Sequence, residues 1–231
     1  MVPSEATRPA LSVIIPALDS ADSLARCLES VAPAGSEAIV VDGGSRDGTR
    51  ALAGSAGARV VTCEAGRGAQ LMAGAAAARG RWLLFLHADT TLSEGWWDAA
   101  RGFMDGQAAG EPRAAYFRYA LDDDGPAARR LEALVAWRCR LLGLPYGDQG
   151  LLIAREFYHS LGGYRPLPLM EDVAFIRRIG RRRLTRLDAE AVTSAARYRR
   201  EGYLRRPLRN ILCLTLYFLG LPPRILVRLY G

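Results

Sequence analysis

Three short segments of this chain carry carboxylates where a ligand could meet them: Asp42-Gly43-Gly44-Ser45-Arg46-Asp47-Gly48-Thr49, His87-Ala88-Asp89 and Glu171-Asp172. A carboxylate such as Asp42 accepts hydrogen bonds from a base N–H or from ribose hydroxyls. An Asp before Gly-Gly also simply forms a turn. Asp89 suits a hard cation, which takes carboxylate, water and phosphate oxygens. His87 beside it can hydrogen-bond a hydroxyl, ligate Mn²⁺ or sit satisfied in a wall. Glu171 and Asp172 fit two descriptions. They are charges at a helix start, or an acid pair in which one member is raised towards a general base. Arg67 offers a guanidinium, which grips phosphate oxygens in pairs. Asp148 and Gln149 lie in a glycine-flanked turn, suited to sugar or acceptor contact or to turn formation alone.

The elements around these residues must bring them together. Leu11-Ser-Val-Ile-Ile15 and Ala38-Ile-Val-Val41 are apolar runs of the length of buried strands. So are Arg59 to Thr62 and Arg81 to Leu86. Between the first two, Leu24, Cys27, Leu28 and Val31 recur at helical spacing behind a cap at Asp19 or Ser20, and Pro33 and Gly35 stop the helix. Further helices are predicted over 48–56, 66–79 and 94–105. Strand and helix thus alternate with short loops, which predicts a mostly parallel sheet with helices on both faces. Ligands in such sheets bind beyond the carboxyl ends of the strands. Those ends carry Pro16 to Asp19, Asp42 to Asp47 and His87 to Asp89, so two carboxylates and a glycine turn converge on one edge. The second half is less regular. It predicts a strand over 114–121, an amphipathic helix over 126–142, a turn at 147–150, a strand over 151–154 and a helix opening at Glu171.

Composition narrows the class. The chain has 231 residues, half of them hydrophobic, enough for one domain with a real core and against global disorder. Four cysteines without a Cys-x-x-Cys pair and only two histidines argue against a zinc ribbon or a disulfide scaffold. The polar start, Met1 to Pro9, lacks the apolar core of a signal peptide, so a cytoplasmic protein is expected. The net charge of +7 is uneven: all 31 basic residues are arginine, and residues 177–231 hold 14 of them against Asp188, Glu190 and Glu201. Beside this basic stretch lies the apolar tract Leu208 to Leu221, shorter than the roughly 20 residues a spanning helix needs. Two outcomes are open for it: an anchor on the inner membrane leaflet, or packing on the domain or on a second copy in a homodimer. Arg199 or Arg200 could also reach a bound diphosphate.

Several pieces in series resemble the family 2 glycosyltransferases, which have the GT-A fold. They are Leu11 to Asp19, Val40 to Thr49, Gly66 to Gly74 with Ala78-Arg-Gly80, Leu83 to Thr90, and Gly162-Gly-Tyr164 followed by Glu171-Asp172. They stand in the family's order and cover roughly residues 10–180. The match is closest to a small bacterial branch with His-Ala-Asp in place of Asp-x-Asp, some of whose members carry an arsenosugar-biosynthesis label. The resemblance implies a GT-A catalytic domain over 1–195, with a nucleotide-binding half over 10–110 and an acceptor half over 111–195. A basic, partly apolar helical extension follows over 196–231.

It also implies an inverting transfer of a sugar from a nucleotide diphosphate sugar, UDP-type, to a hydroxyl acceptor that could be lipid-linked. Asp172 would be the general base and Glu171 would orient the site. Pro16, Ala17, Asp19, Asp42, Gly44, Arg67, His87 and Asp89 would hold the nucleotide. Asp89 would carry a divalent cation, Mn²⁺ or Mg²⁺, and Asp148 and Gln149 would touch sugar or acceptor. Two positions depart from the family pattern: Gly43 stands at its second Asp, and Leu18 at its usual aromatic. A nucleotidyltransferase would place a Gly-x-Gly-x-Arg loop after the first strand, and a dinucleotide enzyme a Gly-x-G-x-x-Gly; neither is there. A non-enzymatic lipid- or nucleic-acid-binding protein would use the arginines and leave the convergent carboxylates idle, so no nucleic-acid partner is expected.

Overall fold

The computed structural model describes residues 9–31, 35–107 and 110–230; the N-terminal segment through Arg8 and the helix stop expected at Pro33 lie outside them. β1 (Leu11–Ala17), β2 (Ser36–Asp42), β3 (Arg59–Thr62) and β4 (Trp82–Phe85) form the parallel half of an eight-stranded sheet. Side chains alternate across it as the pleat requires. Leu11, Val13 and Ile15 of β1, Val40 of β2 and Leu84 of β4 enter one core; Ile14, Ile39, Val41, Leu83 and Phe85 enter the other. Runs that bury both faces are apolar throughout, which made them legible.

The first core is closed by α1 (Ala21–Ser30), α2 (Thr49–Ser55) and α4 (Trp96–Asp105), through Leu24, Cys27, Ala53, Trp96 and Ala100. The opposite core is closed by α3 (Arg67–Ala77), α6 (Arg155–Ser160) and α7 (Glu171–Ile179). α3 lies so close to the sheet that a Cβ at Gly74 would come within 2.3 Å of Ile14. A Cβ at Gly68 would fall 2.4 Å from the Arg165 carbonyl, so the first turn of α3 is clasped by the chain leading into α7. Two elements at the ends of the active edge are thereby locked to each other.

The sheet order is β3-β2-β1-β4-β7-β6-β8-β5. β7 (Leu151–Ala154) runs antiparallel to β4 and to β6 (Ala114–Leu121). β8 (Leu184–Thr193) returns parallel to β6, and the short β5 (Thr90–Leu92) lies antiparallel on β8. Sheet, cores and flanking helices form the expected mostly parallel α/β architecture. β5 and β8 are additions to the expected elements, and β8 carries Thr193 to the active edge.

α5 (Pro126–Leu142) packs on β6 through Ala128, Leu131, Val135 and Cys139. Its Pro at the first turn and left-handed Gly143 at the end are favoured helix boundaries. The C-terminal stretch forms α8 (Ala196–Glu201), α9 (Arg205–Phe218) and α10 (Pro223–Tyr230). Cys213 of α9 and Leu226 of α10 are fully buried in the core that α3 and α7 close. No described helix is long and apolar enough to cross a membrane.

Candidate active site

The carboxyl ends of β1 and β4, the first turns of α3 and α7, and the start of α8 surround one cleft. Its larger part, about 680 Å³, is lined by Pro16, Ala17, Asp19, Arg67, His87 and Asp89. It is of the size that small-molecule ligands occupy. A smaller recess of about 110 Å³ opens beside it and adds Asp148 and Asp172, while Glu171 lines both.

Asp172 is the second residue of α7. Its Oδ2 accepts the N–H of Gly147 (3.0 Å) and its Oδ1 accepts the N–H of Val173 (2.7 Å). The carboxylate is thus fixed between two elements while still lining the recess. Met170, just before α7, holds a left-handed backbone (φ +65°). Such strain in a non-glycine residue concentrates at sites where chain direction is dictated by function.

Glu171 is buried, with Oε1 3.5 Å from Arg67 Nη1. Burial first, then the Asp172 charge, raise its carboxyl to about 7, against the opposing pull of Arg67. Asp148 is raised to about 6, chiefly by burial. Loss of water, followed by the Arg67 charge, lowers His87 to about 4, so its imidazole is neutral near pH 7. The recess therefore holds a neutral donor-acceptor ring and two acids shifted towards neutrality. A Cβ at Gly147 would lie 2.6 Å from His87 Nε2. Only glycine lets the 147–149 turn close over the imidazole.

Asp89 is a quarter exposed and faces Arg197 Nη2 at 3.9 Å. It offers one carboxylate beside the His87 imidazole, donors that suit Mn²⁺ or Mg²⁺. No three His, Cys, Asp or Glu among the described residues are grouped to hold a cation unaided. The residues present fit a cation whose other positions belong to phosphate and water.

Four expected contacts lie elsewhere. Asp42 is fully buried, and its oxygens accept the N–H groups of Gly44 and Ser45 (both 3.1 Å). Asp42 and Gly44 close a turn beside the cleft instead of lining it. Gln149 faces away from the recess. Its Oε1 accepts from Arg138 (3.2 Å) and Cys139 (3.1 Å), and its Nε2 donates to the Phe117 carbonyl (3.2 Å). It ties α5 to β6, so of the two residues only Asp148 lines the recess. Arg199 is bound to Asp122 and Asp123.

Conversely, sequence reasoning passed over Tyr119, Tyr146, Thr193, Arg197, Tyr198, Arg206 and Asn210, all lining the recess. Nothing separates Arg197 or Arg206 from their many arginine neighbours until the tail is folded back.

Residues 12–135, more than half of the chain, match the model of glycosyl transferase family 2. The chain belongs to this family. It is 37% identical to the glucosyl-3-phosphoglycerate synthase of Mycolicibacterium paratuberculosis, over 34% of this chain and 28% of that protein. It is 40% identical to a TPR repeat-containing protein of Synechococcus elongatus, over 38% of this chain and 22% of that protein. The chain thus spans about a quarter of the length of these curated relatives. Among solved structures, it resembles glucosyl-3-phosphoglycerate synthase of Mycobacterium tuberculosis in complex with Mn²⁺, UDP and glucosyl-3-phosphoglycerate. The TM-score is 0.55 at 24% identity, covering 82% of this chain and 71% of the other. It also resembles S. aureus TarS 1–349, with TM-score 0.62 and 15% identity over 95% of this chain and 69% of that one. These likenesses confirm the GT-A fold.

Proposed function

We propose that this family 2 chain transfers a sugar from a UDP-type nucleotide sugar to an acceptor hydroxyl, with inversion and with Asp172 as general base. The observation that carries this is the placement of Asp172 and Asp89 on one cleft, with Arg67 beside them. The solved relative bound to Mn²⁺ and UDP supports the donor class.

The nucleotide lies along Pro16 to Asp19 and the start of α3. Arg67 neutralises diphosphate oxygens; its approach to Glu171 aims it across the cleft. Asp89, with His87 beside it, would hold the divalent cation, which would supply charge stabilisation for the leaving diphosphate. Asp172 takes the acceptor proton as the acceptor oxygen bonds to the anomeric carbon. The bond from that carbon to the diphosphate breaks, and the nucleoside diphosphate leaves with the electron pair. The two N–H groups on Asp172 hold it in place before the acceptor arrives, so orientation is settled in advance.

Asp172→Asn tests this. It keeps size and hydrogen bonding but cannot accept the proton. Transfer should fall by about 10²–10⁴ with UDP affinity, measured with Mn²⁺, unchanged. Retained transfer would remove Asp172 as the base.

The tail supports one further role. Leu204, Leu208, Ile211, Leu212 and Leu219 are exposed at spacings that form one stripe along α9. Arg205, Arg224 and Arg228 lie exposed near them in sequence. We propose that this face rests on an anionic membrane surface.

A further inference from the structure

A second groove, of about 690 Å³, lies between α5 and the paired strands β6 and β8. Buried Gln149 and Cys139 form its floor, behind the turn that faces the cleft. It is as large as the cleft, yet Arg67, His87, Asp89 and Asp172 do not line it. Tyr116 of β6 and Trp137 of α5 make its aromatic walls, and Trp137 is 62% exposed. An indole so open to water keeps apolar area that a ligand can cover. The charges that line the groove are Arg118, Arg140, Arg186 and Glu132. Arg118 is paired with Glu190 at 2.8 Å. Glu132 is taken by Arg129 at 3.2 Å and by the N–H of Leu121 at 2.9 Å. Neither Arg140 nor Arg186 forms an ion pair among the described residues. Two guanidiniums therefore border the groove unanswered. A bulge in the sheet produces this. Tyr116 pairs with Arg186 and Arg118 with Glu190, so Leu187, Asp188 and Ala189 of β8 stand against Phe117 alone. Such an irregularity re-aims side chains. Here it gives Glu190 to Arg118 and leaves Arg186 beside Tyr116 with Asp188 outside the groove lining.

We infer that this groove is a second ligand site and takes a small organic anion with a flat aromatic body. The ring lies against Trp137 and Tyr116, and its phosphate or carboxylate lies towards Arg140 and Arg186. Size supports it, because small-molecule sites are clefts of a few hundred Å³ that set a few charged groups in a mainly apolar lining. Chemistry supports it as well. Aromatic faces stack on flat rings, and guanidiniums bind phosphate and carboxylate in paired hydrogen bonds. Trp137 and Arg140 are three residues apart on α5, so they are neighbours on one helix face and can meet two parts of one small molecule. Trp137, Arg140 and Arg186 all lie beyond residues 12–135, the stretch that matches the family model, so the site belongs to this chain's second half. The inference stands apart from the transferase reading above.

The test uses the intact chain with UDP and Mn²⁺ in excess, so that the cleft is not open to the probes. Naphthyl phosphate, naphthoate, uncharged naphthol and inorganic phosphate are titrated separately, and binding is followed by calorimetry. The two naphthyl anions should bind at a single site. Naphthol lacks the charge and inorganic phosphate lacks the ring, so each should bind at least about tenfold more weakly. Trp137→Ala and Arg186→Gln should each weaken naphthyl phosphate by about tenfold or more. Both side chains are exposed, so Tm should stay near that of the parent chain, and neither lines the cleft, so UDP affinity should not change. Naphthol binding as tightly as the anions would overturn the charge assignment. Absence of binding by either anion, or unchanged affinity in both variants, would overturn the site. Variants that leave the probes unaffected but lose sedimentation with phosphatidylglycerol vesicles would give the groove to lipid instead and overturn the inference in favour of a membrane contact.

Discussion

Glu171 and Asp148 sit where removal from water outweighs their cationic neighbours. For Glu171 the groups that face it are Arg67 from α3 and Asp172 on its own helix. Its raised carboxyl means that the folded chain keeps a proton that the unfolded chain gives up near the ordinary value of 4.5. The resulting stabilisation is complete below that pH and is lost as pH rises through about 7. Glu171→Gln is neutral throughout and escapes this loss. Its Tm relative to the parent chain should therefore be higher at pH 8 than at pH 5. A difference independent of pH would show that burial does not govern this carboxyl. Sequence alone presented Glu171 and Asp172 as a matched pair; it could not say which would be buried, because both lie in the first turn of one helix. Burial of Glu171 and exposure of Asp172 to the recess follow from helix rotation, fixed by Val173, Phe175 and Ile176 in the core.

At the scale of elements, the departure at Gly43 finds a physical explanation. The Gln70 amide donates to the carbonyls of Ala17 and Val41, both at 2.8 Å, and so stitches the ends of β1 and β2 to α3. A Cβ at Gly43 would lie 3.1 Å from that amide nitrogen. The space a second Asp would need is occupied by Gln70. Gln70→Ala should destabilise the fold by about 1–3 kcal/mol, read as a shift in the denaturant midpoint. Gly43→Asp in the same assay should lower stability unless Gln70 is also replaced. Gly147 makes a parallel case for catalysis. Gly147→Ala pushes the turn off His87 and moves the N–H that holds Asp172, so transfer per folded molecule should drop at least about tenfold. A large fall in Tm with wild-type specific activity would show that the turn serves folding alone. The strands β1 to β4 were legible because two-sided burial leaves unbroken apolar runs. β8 was not: Arg186, Asp188 and Glu190 interrupt its apolar positions, because one side of each turn of the pleat meets solvent. β5 has three residues, too few for any period to register.

For the whole molecule, the C-terminal helices serve two surfaces at once. Their inner side is fixed by Cys213, Leu226 and Arg206 and walls the recess; their outer side exposes leucine and isoleucine next to arginine. The sequence left open whether this stretch packs on the domain or anchors to a membrane, since an amphipathic pattern shows only that a helix has two faces. Folding assigns one face to the core and leaves the other without a described partner. Large exposed apolar patches mark interaction sites, and the excess of arginine over acid in residues 177–231 favours an anionic partner. Each Arg near such a surface contributes about 1 kcal/mol, screened by salt. The chain should therefore sediment with vesicles of phosphatidylglycerol and not with phosphatidylcholine alone, and 0.5 M salt should weaken this. Leu208→Glu with Ile211→Glu should abolish sedimentation and leave UDP binding intact, because neither residue lines the cleft. A chain that ignores both vesicles but elutes as a dimer, converted to monomer by the same two substitutions, would reassign the face to a second copy. The recess would keep its walls in either case, since Arg206 and Asn210 project from the side of α9 that packs against the site.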